Sequence, residues 1–223
     1  MNRKVVVANM RRFVAECLGT FMLVFCGTGA VVVNEVVPNS LGNQGIAVVF
    51  GLVVFAVIML FASVSGAHIN PAVSLAFYLG KQLSFKRTMA YTVGQLLGAA
   101  LASVMLWFLF PENTHYGLTQ PNGTIWQSLV FETILTFMLV LVIFGVAKQF
   151  GIQNIMAVAA AVGAVVLFEA MFAGPICGAS MNPARSFGPA LISGQWQFFW
   201  IYCLGPFLGA VLAVFVFKIF SYD

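Results

Sequence analysis

Long apolar stretches separated by short polar breaks dominate this chain. Six of them lie at about residues 12–34, 44–64, 87–110, 125–147, 153–173 and 196–219. Pro38 to Asn43, Pro111 to Gly123 and Gly194 punctuate the gaps. A helix needs ~20 apolar residues to cross a ~30 Å hydrocarbon core, whereas a membrane-barrel strand has ~9–11 alternating ones. The pattern therefore predicts six transmembrane helices. Two further segments, 65–85 and 174–195, are moderately apolar but interrupted by Gly, Ser, Asn and Pro. Neither is suited to cross a membrane alone.

Composition narrows the class. Of 223 residues, 61% are hydrophobic and 7% charged, against roughly 25% charged in a soluble domain. Sixteen charged side chains (ten basic, six acidic) cannot cover a soluble surface. A soluble enzyme, a nucleic-acid binder and a disordered chain are excluded. Arg3, Lys4, Arg11, Arg12, Lys81, Lys86, Arg87, Lys148 and Lys218 fall on alternate connections. That is the positive-inside pattern, and it puts both termini in the cytoplasm, with the plasma (inner) membrane the expected location. The other connections carry Glu35 and Glu112, with Arg185 as the lone cation. Cys17, Cys26, Cys177 and Cys203 have neither metal spacing nor a disulfide framework. No metal or cofactor is expected. The apolar run after the basic start exceeds a signal-peptide core, and its pattern recurs later. Asn122-Gly123-Thr124 matches a glycosylation sequon.

The chain also repeats itself. Glu16 and Thr20-Phe21-Met22-Leu23-Val24 return 116 residues later as Glu132 and Thr136-Phe137-Met138-Leu139-Val140. His68-Ile69-Asn70-Pro71-Ala72 returns as Ser180-Met181-Asn182-Pro183-Ala184, and Gly94…Gly98 as Gly205…Gly209. The chain reads as one membrane domain, 1–223, with halves of about 1–112 and 113–223. Each half has three spans, so the halves take opposite orientations: an inverted 3+3 repeat, with its site expected at the interface near the midplane.

Asn favours the N-cap and Pro the first helical position, so Asn70-Pro71 and Asn182-Pro183 predict short helices running to Gly80 and Ser193. About ten residues at ~1.5 Å each span ~15 Å, half a membrane. Two half-helices entering from opposite faces would meet at the centre with their N-termini facing. Each N-terminus carries roughly +0.5 of a charge. Such a midpoint repels cations, and the two Asn amides can donate to a passing oxygen. The preceding Ser65-Gly66-Ala67-His68 and Gly178-Ala179-Ser180 are expected to be irregular backbone, tolerated at membrane depth where it lines a cavity.

Ser65-Gly66-Ala67-His68-Ile69-Asn70-Pro71-Ala72-Val73 and Asn182-Pro183-Ala184-Arg185-Ser186 resemble the motifs of the aquaporin (major intrinsic protein) family. The resemblance covers nearly the whole chain. It implies an all-α membrane protein of six transmembrane helices plus two half-helices, assembled as a homotetramer with one pore per subunit. It implies pore motifs at Asn70, Pro71, Ala72, Asn182, Pro183 and Ala184. It carries the family's outer constriction onto Phe50, Ala170, Ala179 and Arg185. Strictly water-selective members usually have His where Ala170 stands, and a methyl there widens the constriction. Glycerol facilitators usually have Asp and a basic residue where Ser186 and Ala190 stand. The run from Ala173 to Met181 resembles the plant nodulin-like subgroup and its bacterial relatives, associated with glycerol, urea and metalloid hydroxides. Tyr202-Cys203 departs from the aromatic pair of water channels. The implied permeants are water and small uncharged solutes, with ions and protons excluded; a metalloid or glycerol facilitator with water secondary is the alternative.

Glu16 and Glu132 are intramembrane carboxylates at repeat-equivalent positions. Such groups must be satisfied internally; in the family they accept hydrogen bonds from the pore loops, while a proton relay is the sharper reading. His68 reads as a hydrogen-bonded loop residue or a pH-sensitive gate. Glu169 has no counterpart in the first half, and Cys177 stands where it could meet mercurials. An alternating-access transporter shares inverted repeats and broken helices, but no coupling-ion carboxylate pair is evident. An intramembrane enzyme lacks a nucleophile–base pair. A junctional role is neither required nor excluded.

Overall fold

A computed structural model of the chain describes residues 3–38 and 40–220. The described residues form helices and no strand. In order they are α1 (Arg3–Leu23), a π-helical turn (Val24–Thr28), α2 (Gly29–Val36), α3 (Gly42–Phe61), α4 (Pro71–Leu79), α5 (Phe85–Leu109), α6 (Ile125–Gln149), a 3-10 turn (Gly151–Asn154), α7 (Ile155–Cys177), α8 (Pro183–Ser193) and α9 (Ile201–Phe220). α1, the π turn and α2 are continuous over Arg3–Val36, and with α3, α5, α6, α7 and α9 give six helices long and apolar enough to span a membrane. α4 and α8 are the half-helices.

The ends differ from the apolar runs in three places. The first helix starts at Arg3, nine residues before the apolar stretch, because backbone hydrogen bonding continues where hydrophobicity stops. α7 runs through Pro175 to Cys177. Proline has no N–H, so it orphans the carbonyl four residues back. That carbonyl is Met171 O, and the Asn43 side-chain amide donates to it at 2.6 Å. α9 begins at Ile201, because residues 197–200 form a turn, with Trp196 and Phe199 edge-on at 5.3 Å.

Glycines set the helix crossings. Packing helices closely without a hydrophobic drive favours small residues at the interface. A Cβ on Gly98 would lie 2.1 Å from Cys17 O on α1. Its repeat mate Gly209 stands the same way, 2.3 Å from Thr133 O on α6. Between α3 and α7 the contact is reciprocal: a Cβ on Gly51 would meet Gly163 O at 2.8 Å, and one on Gly163 would meet Gly51 O at 2.8 Å. These two glycines are 112 residues apart, as Asn70 and Asn182 are, so the halves cross at mutually equivalent backbone.

Candidate functional site

Asn70 and Asn182 are the N-caps of α4 and α8, each followed by proline at the first helical position. The Asn70 side-chain oxygen accepts from Ala72 N at 2.8 Å, and the Asn182 oxygen from Ala184 N at 3.0 Å. The amide nitrogens cross over. Asn70 Nδ2 donates to Met181 O and Asn182 Nδ2 to Ile69 O, both at 2.8 Å. The two half-helices thus meet N-terminus to N-terminus. An amide NH₂ has two hydrogens; one is held by the opposite loop, which leaves one per Asn for the cavity that both residues line.

The loops before the caps share an unusual backbone. Gly66, Ala67 and Ile69 have φ of 96°, 49° and 44°, and Gly178, Ala179 and Met181 have 82°, 40° and 54°. Left-handed φ is costly for a β-branched residue such as Ile69 and persists only where its surroundings over-determine it. Two buried carboxylates do so. Glu16 accepts from His68 N at 3.0 Å and Ile69 N at 2.7 Å. It also takes Ser65 Oγ at 2.6 Å and Gln95 Nε2 at 2.8 Å. Glu132 accepts from Ser180 N at 2.8 Å and Met181 N at 2.7 Å. In a trans peptide the carbonyl points opposite to the following N–H. With those N–H groups turned to the carboxylates, the carbonyls of Ala67, His68, Ala179 and Ser180 face away from them. All four residues line the cavity.

That cavity is narrow, about 110 Å³. Its apolar wall comes from Val54 and Ile58 on α3, Val162 and Val166 on α7, and Leu139 and Ile143 on α6; the pore loops form the other. Phe50, Ala170, Ala179 and Arg185 all line it. Arg185 is buried, at 4% exposure. Its Nη1 donates to Gly117 O at 2.7 Å, and its guanidinium lies 5.3 Å from the Phe50 ring centroid. His68 is bonded through Nδ1 to Ser74 Oγ at 3.2 Å and packs against Phe77 and Tyr91.

Other polar and sulfur-bearing residues stand outside the cavity lining. Ser186 Oγ is bonded to Ser180 Oγ at 2.6 Å and takes Thr119 Oγ1 at 2.8 Å. Tyr202 is fully buried, with its hydroxyl on Cys177 O at 2.9 Å, so it fastens the end of α7. Cys177 is itself fully buried. Asn122 donates its side-chain amide to Pro175 O at 3.0 Å. Glu169 is fully buried with no hydrogen-bond partner for either oxygen. Sequence reading missed the supports: Gln95, Ser74 and Tyr91 around Glu16, and the Gly117 carbonyl on Arg185. Gln95 carried a signal, a polar side chain inside an apolar run; Gly117 carried none, and its left-handed φ of 69° is seen only in the structure.

An inverted repeat whose half-helices meet around a narrow cavity defines a membrane channel of the aquaporin type. The Major intrinsic protein family profile matches residues 3–217. The chain belongs to this family. It is 42% identical over 217 residues to Nodulin-26 of Glycine max, covering 97% of this chain and 80% of that one. It is 41% identical to Aquaporin NIP1-1 of Oryza sativa subsp. japonica, over 97% and 76% respectively. Among solved structures it is similar to the aquaglyceroporin from Plasmodium falciparum, with a TM-score of 0.89 at 28% identity, over 96% of this chain and 97% of that one.

Proposed function

We propose that this chain is a passive transmembrane channel for water and small uncharged solutes such as glycerol. One observation carries the reading: a narrow cavity passes between two facing helix N-termini, each capped by an Asn with an amide hydrogen to spare. A permeant oxygen accepts from both amides, while the positive ends of two helices repel cations, hydronium included. A water held by two donors points its own hydrogens away from them, so it cannot accept a proton there. In aquaporin-type pores an Arg and half-helix dipoles set such barriers generally.

Phe50, Ala170, Ala179 and Arg185 form the selectivity filter in this reading. Arg185 supplies donors and charge, Phe50 an aromatic wall, and Ala170 and Ala179 leave room where larger side chains would block a polyol. Asn70, Pro71, Ala72, Asn182, Pro183 and Ala184 form the central pore; Glu16 and Glu132 hold its loops, and His68 lines the cytoplasmic half. The chain is one channel domain with halves meeting near residues 112–113. It forms a homotetramer in a bilayer, with both termini cytoplasmic, as the basic connections support. The small Ala170 and the nodulin-type relatives also favour a second reading, a glycerol or metalloid facilitator in which water is secondary.

Osmotic flux into proteoliposomes, followed against temperature and with ionophores present, tests the passive mechanism. A channel gives a low activation energy and is indifferent to collapse of proton or sodium gradients. A steep temperature dependence, or flux that stops with a gradient, points instead to alternating access.

A further inference from the structure

Phe50 borders the cavity, and its ring also meets a glycine. Gly27, in the π-helical turn Val24–Thr28, stands against the ring. A Cβ on Gly27 would lie 2.3, 2.5 and 2.7 Å from three ring carbons of Phe50. Contacts below 3.0 Å do not survive, so any side chain here displaces the ring. Gly27 stands one turn beyond Leu23, which lines the cavity, and a π turn in a long helix is a local departure that frequently marks functional sites.

The repeat shows what this glycine replaces. The 116-residue shift that carries Glu16 to Glu132 and Leu23 to Leu139 carries Gly27 to Ile143. The 112-residue shift that carries Asn70 to Asn182 carries Phe50 to Val162. Ile143 and Val162 both line the cavity. In the second half the pair is Ile and Val; in the first it is Gly and Phe. The bulk has moved from the first helix of the half to the second. Only an empty position on the first helix lets an aromatic ring lie back beside Arg185 rather than across the passage.

We propose that Gly27 is a specificity-determining position, a fifth member of the constriction that acts by positioning the Phe50 ring. This rests on reading Phe50 and Arg185 as the filter. An added methyl drives the ring away from Gly27 by about 1 Å to recover ordinary contact at 3.4 Å, and the cavity that Phe50 borders is where the ring can go. The passage narrows for a polyol more than for water.

The test is stopped-flow measurement of water and glycerol permeability for wild type, Gly27→Ala, Phe50→Val and the double variant in proteoliposomes. Gly27→Ala is expected to lower the glycerol-to-water ratio about tenfold, the scale on which one methylene discriminates in a close-fitting pocket. In the Phe50→Val background the same methyl is expected to change the ratio less than about twofold, because no ring remains to be pushed. Equal losses in both backgrounds overturn the proposal, since Gly27 then acts elsewhere in the packing. So does an unchanged Gly27→Ala ratio beside a changed Phe50→Val ratio, which leaves the filter reading intact. If Phe50→Val itself leaves the ratio unaltered, the filter reading fails and takes this proposal with it. Should Gly27→Ala not fold, its recovery in the double variant, with the Phe50→Val ratio, supports the ring contact; failure in both backgrounds overturns it.

Discussion

Three glutamates are buried in the membrane-spanning part of this protein, and their surroundings differ by degree. Glu16 accepts four hydrogen bonds, from two backbone N–H groups, a serine and a glutamine. Glu132 accepts two, both from backbone N–H groups. Glu169 accepts none. Each buried donor left without an acceptor costs about 1–3 kcal/mol, so the loss on substitution follows that order. Glu16→Ala should lower thermal stability in detergent the most, and Glu132→Ala by about half as much. Glu169→Leu, which removes a polar group that nothing repays, should be neutral or stabilising. A Glu169→Leu protein less stable than Glu132→Ala would show that the ranking by partners is wrong. The first two positions were legible, because a carboxylate in an apolar run stands out and its recurrence 116 residues on ties it to the repeat. Glu169 stands out equally but has no mate, and periodicity could say only that it turns away from Ala170.

The helices were readable from the sequence; their ends and supports were less so. Hydropathy found six spans because each must present apolar side chains to lipid for its whole length. It could not see α1 start at Arg3, since charged residues leave hydrocarbon without leaving the helix. Nor could it see Pro175 inside α7, because its rescue comes from Asn43, 132 residues earlier. The same limit hid the connection 111–123, whose Gly117 carbonyl reaches Arg185. Such links depend on three-dimensional return of the chain and leave no periodic trace. The glycine pairs did leave one, and their geometry makes a prediction at this scale. Gly98→Ala and Gly209→Ala each place a methyl within about 2 Å of a carbonyl oxygen on the facing helix. Backbone cannot rotate aside, so each should cost roughly 2–3 kcal/mol, in the range of overpacked cores. Thermal unfolding checks this, with Gly145→Ala, whose Cβ meets nothing within 4 Å, as the tolerated comparison.

At the scale of the whole molecule, near-symmetry builds the cavity, and in the proposed reading its breaking makes the channel selective. The shared 112-residue shift carries Phe50, Ala170, Ala179 and Arg185 to Val162, Ile58, Ala67 and Val73. Every one of these eight lines the cavity. The first four are an aromatic, two methyls and a guanidinium; their four counterparts are all aliphatic, so the proposed constriction with a charge and donors exists once. The repeat and the motif positions were legible because they recur in the letters. How wide the four side chains leave the passage was not, since that depends on ring and guanidinium placement, including the Phe50 ring seated over Gly27. In the proposed reading this is an open passage for water and small uncharged solutes, with Ala170 setting room for the larger ones. Its most direct test is stopped-flow light scattering on proteoliposomes, following water and glycerol in the same preparation, with Ala170→His beside the wild type. Fast water and fast glycerol are expected in the wild type, and suppressed glycerol with persistent water in Ala170→His. Wild-type fluxes no greater than those of empty liposomes, or glycerol entry indifferent to the imidazole, would contradict it.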